Sequence, residues 1–272
     1  MAGEVLALAA LDERLRVARE GALEAGRLLA GYFRRPIRSE YKRGDSIVSE
    51  ADRAAEELLR ARIAAAFPGD SILGEEGGYE PRDPEWCCTL DPLDGTQNFL
   101  AGQPLFAVGI AVLHQRDPVA AVVHDPWRGE TFAAVRGRGA RRDGAPVQVS
   151  AAALGRSSLV AARHRFLRRA DRLYDLLPTR KFRSLGSMCL ELAYLAAGGL
   201  DLVVADRPHL WDIAPVALLV EEAGGVVRSF DGAPVFPLGE DPGAVADRRY
   251  QIAAGGRAAV EEVVGYLGAL PL

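Results

Sequence analysis

A chain of 272 residues with 49% apolar and 26% charged side chains has the balance of a folded globular protein, long enough to bury a substantial core and unlike a disordered one. Its net charge of −4, from 33 basic and 37 acidic residues, supplies no global positive field, so neither nucleic acid nor a membrane surface is an expected partner. Three cysteines, Cys87, Cys88 and Cys189, make no disulfide framework and fit a reducing cytoplasm. Adjacent Cys87 and Cys88 should point to opposite faces of a strand, and all three are read as small core residues.

The opening run MAGEVLALAALDERL lacks a basic leader and is broken by acids, so it does not read as a signal peptide. No stretch reaches the roughly 18 uninterrupted apolar residues of a spanning helix. Leu11, Leu15, Ala18, Ala22, Ala25, Leu29 and Phe33 recur at spacings of three and four, the face of a long amphipathic helix that stops before Pro36. A second helix is predicted from Ser49, where Asp52 stands in the place of a capping-box acid, to Pro68-Gly69. Short apolar segments at 86–91, 105–113, 118–124 and 130–135 read as strands, and Asp143-Gly144 as a hairpin turn leading to Val147-Gln148-Val149. In the second half, strands are predicted at 157–162, 181–184, 200–205 and 226–229. Helices are predicted near 165–177, 187–197, 213–223 and 256–268, with Gly198-Gly199 and Gly224-Gly225 as stops. Arg163, Arg165, Arg168 and Arg169 read as a solvated helix face. The expectation is one mixed α and β domain, with halves near 1–150 and 151–272.

Three pieces carry chemistry. Trp86–Leu90 reads as a buried strand that delivers Asp91 at its end, stopped by Pro92. Asp94 follows three residues later, and Gly95 frees the backbone to turn. Two carboxylates at a strand end suit hard divalent cations, and Gly95-Thr96 can offer N–H groups and a hydroxyl to a phosphate; a plain Asp-Gly turn is the alternative. Glu75-Glu76 follow a second short strand, Ser71–Leu73, where paired glutamates can equally be solvated. Asp212, after Trp211, precedes an apolar run and reads as an N-cap, with Pro215 in the first turn.

Taken in order, Glu75-Glu76, Asp91-Pro92-Leu93-Asp94-Gly95-Thr96 and Trp211-Asp212 resemble the metal-site motifs of the inositol monophosphatase family. The resemblance extends over nearly the whole chain through Asp45–Asp52, Asn98-Phe99, Gly137–Ala140, Val149-Ser150, Arg183–Ser187 and Glu222–Gly225. It implies a layered α/β/α/β/α sandwich, often dimeric, and a lithium-sensitive hydrolysis of a phosphate monoester of a small metabolite. It also implies two or three magnesium ions held by Glu75, Asp91, the Leu93 carbonyl, Asp94 and Asp212. Asp52 would support the more weakly held ion, Thr96 would pair with Asp52 and orient water with Glu75, and Gly95 and Thr96 would bind phosphate. Lys42 would lie near the same site, and Arg183 and Ser187 on the substrate side. Such a carboxylate cluster makes sense chiefly with cations present, since like charges raise one another's pKa, while metal ions make hydroxide available near neutral pH.

The sequence also departs from the family. Ala205 stands seven residues before Asp212, where inositol-selective members carry a substrate-contacting glutamate; Asp206 is adjacent and takes that role if the register shifts by one. Gln97 replaces a common threonine. Gly186-Ser187-Met188 differs from the Gly-Asp pattern of histidinol-phosphate phosphatases. Fructose 1,6-bisphosphate and 3′-phosphonucleotides therefore remain candidates, with Arg183 and His209 as anion contacts. Two other readings compete: a regulatory binding protein that retains the fold, and a hydrolase with Asp91 as covalent nucleophile.

Overall fold

The computed structural model describes residues 2–41, 47–162, 177, 179 and 181–267. Lys42, Asp45, Ser46, the four arginines at 163, 165, 168 and 169, and the helix expected over 165–177 (Leu177 apart) lie outside the described residues.

Helix α1 (Ala2–Tyr32) buries Ala18, Ala22, Ala25 and Leu29, the predicted stripe. Strands β1 (Ser39–Tyr41) and β2 (Ile47–Ser49) form a short antiparallel pair. Helix α2 (Glu50–Ala66) starts at Ser49 as expected: the Ser49 hydroxyl accepts from the Ala51 N–H, and Asp52 accepts from the Ser49 N–H.

Next come β3 (Asp70–Gly74), β4 (Gly78–Glu80), β5 (Asp83–Asp94), the short helix α3 (Thr96–Leu100), β6 (Ala107–His114), β7 (Asp117–Asp125), β8 (Glu130–Val135), β9 (Ala140–Arg142) and β10 (Ala145–Pro146). These strands form an eight-stranded sheet in the order β10-β9-β8-β7-β6-β5-β3-β4, with β3 and β5 parallel and the other pairs antiparallel. The strand expected to stop at Pro92 continues to Asp94. Asp91 pairs with Gly109 and Asp94 with Ala107, and the register shifts between them, so Pro92 falls where no ladder N–H is required. The hairpin turn at Asp143-Gly144 joins β9 and β10; the Val147 N–H still bonds to the Ala140 carbonyl of β9, and the chain leaves the sheet by Val149, whose N–H bonds to the Ala223 carbonyl.

The second half gives β11 (Leu159–Ala162), β12 (Lys181–Arg183), α4 (Met188–Ala196), β13 (Leu202–Asp206), α5 (Leu210–Glu222), β14 (Val226–Ser229), β15 (Gln251–Gly255) and α6 (Arg257–Leu267). Its strands form a five-stranded sheet in the order β12-β11-β13-β15-β14. The molecule is layered α/β/α/β/α. Helices α1 and α2 cover one face of the large sheet, α4 and α5 lie between the two sheets, and α6 covers the outer face of the small one. Each interface is filled by strand residues of one parity. Cys88, Leu90, Val108 and Ile110 pack toward α1 and α2, while Cys87, Ala107, Ala111 and Leu113 pack toward α4 and α5. The two adjacent cysteines do face opposite ways; all three are buried and none is in a disulfide. No helix among the described residues is long and apolar enough to cross a membrane.

Candidate metal centre

The carboxylates meet where β5 ends and helices α2, α3, α4 and α5 begin. Asp91 is fully buried, and neither of its oxygens accepts a hydrogen bond from any donor among the described residues. Its electrostatic neighbours are acids. Burial pushes its carboxyl well above the usual carboxylate range, and the charges of Asp94, Glu75 and Asp212 push it further. A buried carboxylate with no donor and three acidic neighbours is unstable as a bare anion; divalent cations relieve both penalties at once. The donor set, oxygen-rich and multiply charged, suits a hard ion such as magnesium.

Asp94, Asp212 and Asp52 are held by helix starts. Asp94 is buried, and its Oδ2 accepts from the Ser187 hydroxyl and, at 2.6 Å, from the Cys189 N–H. Ser187 is also the N-cap of α4, its hydroxyl accepting from the Leu190 N–H at 3.2 Å. Asp212 Oδ2 accepts from the His209 N–H at 2.6 Å. The N-cap of α5 is therefore His209, and Asp212 sits one turn in, not at the cap. Pro215 consequently lies beyond the first turn, where its missing N–H leaves the Trp211 carbonyl without that helical bond. Its ring fits the close approach of α5 to Gly109. Asp52 repeats the Asp212 construction at the start of α2, and its second oxygen lies 2.8 Å from the Thr96 hydroxyl. Burial raises the Asp52 pKa, opposed by the hydrogen bonds from Ser49 and Thr96. Three helix N-termini thus present partial positive charge to Asp52, Asp94 and Asp212, offsetting part of the repulsion among the acids.

Gly95 ends β5 with φ +93°, and a Cβ there would stand 2.7 Å from the Leu105 carbonyl oxygen, so the turn requires glycine. The Thr96 hydroxyl also lies 3.0 Å from the Leu93 carbonyl. Asn98 donates to the carbonyls of Leu105 and Leu185, each at 2.8 Å, tying α3 to the segment that leads into Ser187.

The structure therefore brings Asp52, Glu75, Asp91, Leu93, Asp94, Gly95, Thr96, Ser187 and Asp212 to one place. It puts Arg183 elsewhere in character: exposed on β12, its guanidinium donates to the Phe182 carbonyl. Ala205 points into the layer between the sheets, and Asp206 is the last residue of β13. By strand alternation Asp206 shares the face of Leu202 and Val204, away from α5, so it does not replace the missing glutamate.

Three contributors carried no motif. Glu56, buried on α2, accepts the backbone N–H groups of Glu76 and Gly77, each at 2.7 Å, and so fixes the loop of Glu75. The signal for it was a glutamate inside the apolar stripe Ala55, Leu59 and Ile63. Cys189 Sγ lies with Asp91 and Asp94 in a set whose ligand atoms are all within 4.8 Å of one another. Arg249 sits in the field of Asp212 and Glu75. Burial and Arg207 lower its pKa, those two acids raise it, and the net direction is downward.

The sequence profile described as the inositol monophosphatase family matches residues 10–264. The chain belongs to that family, a family of metal-dependent phosphatases. It is 38% identical over 246 residues to the Nus factor SuhB of Pseudomonas aeruginosa, covering 83% of this chain and 89% of that one. To the fructose-1,6-bisphosphatase/inositol-1-monophosphatase of Thermotoga maritima it is 36% identical over 216 residues, covering 77% and 82%. The solved extragenic suppressor protein suhB of Bartonella henselae superposes with a TM-score of 0.84 at 31% identity, covering 93% of this chain and 98% of that one. The motifs of Glu75, Asp91–Thr96 and Asp212 thus sit on a family scaffold from end to end.

Proposed function

We propose that this chain is a magnesium-dependent phosphatase that hydrolyses the phosphate monoester of a small metabolite. The observation that carries the reading is Asp91, fully buried with two unpartnered oxygens among three further acids. Glu75, Asp91, the Leu93 carbonyl, Asp94 and Asp212 would hold two or three magnesium ions. When bound, the ions supply Lewis acidity: they lower the pKa of water and neutralise charge on the phosphoryl oxygens.

The chain's own residues do the rest. Asp52 Oδ1 faces the Thr96 hydroxyl at 2.8 Å, so Thr96 gives its proton to that hydrogen bond and turns a lone pair toward the attacking water. Glu75 takes the proton that this water loses. The N–H groups of Gly95 and Thr96 receive the phosphate, and the Ser187 hydroxyl orients Asp94. No residue serves as covalent nucleophile. Asp91 is unsuited to attack, since its oxygens would be committed to the metal ions.

Ala205 and the placement of Asp206 argue against a site tuned to inositol hydroxyls. The bisphosphatase activity named for the Thermotoga maritima relative makes fructose 1,6-bisphosphate a leading candidate beside myo-inositol 1-phosphate. Lithium inhibition, a cytoplasmic location and a homodimer belong to the same proposal. A regulatory role alongside catalysis is favoured by the 38% identity to a relative named as a Nus factor.

The test is phosphate release, with and without magnesium, from these two esters, histidinol phosphate, 3′-phosphoadenosine 5′-phosphate and glycerol 2-phosphate. Magnesium-dependent turnover lowered more than roughly 100-fold by Asp94→Asn in a folded protein is the expected result. Wild-type rates in that variant, or a trappable phosphoenzyme, would overturn the assignment.

A further inference from the structure

Cys189 brings a sulfur to a centre whose other donors are oxygens. Its Sγ and one carboxylate oxygen each of Asp91 and Asp94 lie within 4.8 Å of one another, and all three residues are buried. Metal–sulfur bonds of roughly 2.3 Å and metal–oxygen bonds of roughly 2.0–2.2 Å hold two donors no more than roughly 4.5 Å apart, so a small side-chain movement lets the three donors share one ion. The position is fixed from several sides. The Cys189 backbone N–H holds Asp94 Oδ2 at 2.6 Å. Gly109, the ladder partner of Asp91, packs so tightly that a Cβ on it would stand 2.9 Å from Sγ and 3.5 Å from the Asp91 Cβ. Independently, both Asp91 oxygens are buried without a donor, so an ion is drawn to this point. An ion that reaches Asp91 arrives beside the thiol.

Donor softness then decides which ion benefits. Magnesium takes oxygen ligands and gains nothing from sulfur, whereas thiolate adds a strong bond for zinc and its relatives. We propose that Cys189, Asp91 and Asp94 form a mixed sulfur and oxygen site for a thiophilic divalent cation of the zinc class, whose occupancy displaces magnesium and holds the enzyme inactive. On binding, the metal–sulfur bond forms as the S–H bond breaks, and the proton leaves to solvent. No electron is transferred and no oxidant is needed. The inhibitory consequence rests on the phosphatase reading; the thiol site itself does not.

Cadmium is the probe. The metal-stripped full chain is titrated with Cd2+ in the absence of substrate, and the ultraviolet sulfur-to-cadmium charge-transfer band is followed. Wild type should give a saturable band. Cys189→Ser, which retains Cys87 and Cys88, should lose it, and Asp91→Asn, which keeps the thiol, should require more cadmium to reach it. In parallel, Zn2+ is titrated against magnesium-dependent hydrolysis, each variant compared with its own magnesium-only rate. Half-inhibition of Cys189→Ser should need at least roughly tenfold more zinc, because losing even an outer partner of a metal costs roughly 10–100-fold. If circular dichroism shows Cys189→Ser unfolded, Cys189→Ala is read in the same way. No saturable band in wild type, an unchanged band without Cys189, or equal zinc sensitivity with and without it overturns the proposal. A protein that shows the band and hydrolyses none of the esters would sink the phosphatase reading and leave the thiol site standing.

Discussion

Glu56 accepts the backbone N–H of Glu76 at 2.7 Å across the gap between α2 and the loop after β3. Its other oxygen takes the Gly77 N–H and Arg60 Nε, each at 2.7 Å. Every one of these donors needs a carboxylate oxygen, so the loop that carries Glu75 is pinned by one side chain. Glu56→Gln replaces one acceptor with an NH2 that faces a donor. The expected outcome is a half-saturating magnesium concentration raised by roughly tenfold, with kcat at saturating metal little changed. A magnesium titration of activity checks it, and an unmoved midpoint would show that Glu75 needs no such support.

Ser187 serves two structures at once. Its hydroxyl donates to Asp94 and accepts from the Leu190 N–H. Ser187→Ala should therefore lose about 1 kcal/mol of stability as a lost N-cap and, separately, weaken magnesium binding by roughly 10–100-fold. Threonine keeps both bonds, so Ser187→Thr should restore the metal midpoint. Denaturant melts and metal titrations read the two effects apart; a stability loss with an unmoved metal midpoint would confine Ser187 to capping α4.

The raised pKa of Asp91 ties stability to pH. A carboxyl whose folded pKa lies above its unfolded value stabilises the fold below the unfolded pKa and loses that contribution as pH rises through the folded pKa. The metal-free protein should thus lose stability from this group as pH is raised through that elevated value, and saturating magnesium should cancel the loss. Asp91→Asn should flatten this part of the profile and raise the Tm of the metal-free protein by about 2–4 °C for each kcal/mol relieved. Its magnesium-dependent stabilisation should vanish. Thermal melts across pH, with chelator and with magnesium, measure all three; a metal-free Asp91→Asn protein that melts like wild type at every pH would contradict the burial argument.

Much of this site was legible because its residues sit in contiguous motifs at element ends. Asp91, Asp94 and Gly95 follow a buried strand, and Ser49 with Asp52 announces α2. The long stripe from Leu11 to Phe33 marks α1, since seven apolar positions at helical spacing have no other reading. What escaped was decided by tertiary contact. Gln251–Gly255 is poor in β-branched residues and adjoins a helical run, yet it becomes β15 because β13 and β14 pair with it on both sides. Strands β1, β4 and β10 are too short to carry a period. The start of α5 moved back by a turn because the His209 N–H is capped by Asp212 at the third helical position. Glu56 shows in the sequence only as an acid inside an apolar helix stripe, Cys189 and Arg249 belong to no local pattern, and packing brings all three to the site.

Arg249 is the one of these from which a test of substrate choice follows. Arg207, at the turn out of β13, adopts φ +70°, a left-handed conformation costly for a residue with a Cβ. Its N–H bonds to the Tyr250 carbonyl at 2.6 Å, and its carbonyl accepts from Arg249 Nη1 at 3.3 Å. The two arginines are thereby clamped beside the turn that leads into Asp212. Under the proposed function, positive charge there would do little for a lone phosphate met by metal and backbone donors, but would complement a second anionic group on the same substrate. Arg249→Ala should raise KM for fructose 1,6-bisphosphate and 3′-phosphoadenosine 5′-phosphate by roughly tenfold, the size of one lost charged hydrogen bond. Glycerol 2-phosphate, with a single anionic group, should stay within about twofold, so the ratio of kcat/KM between the two substrate kinds is the quantity to measure. An equal loss on both would mean that Arg249 acts on the acids of the metal centre, through Asp212 and Glu75, and not on the substrate.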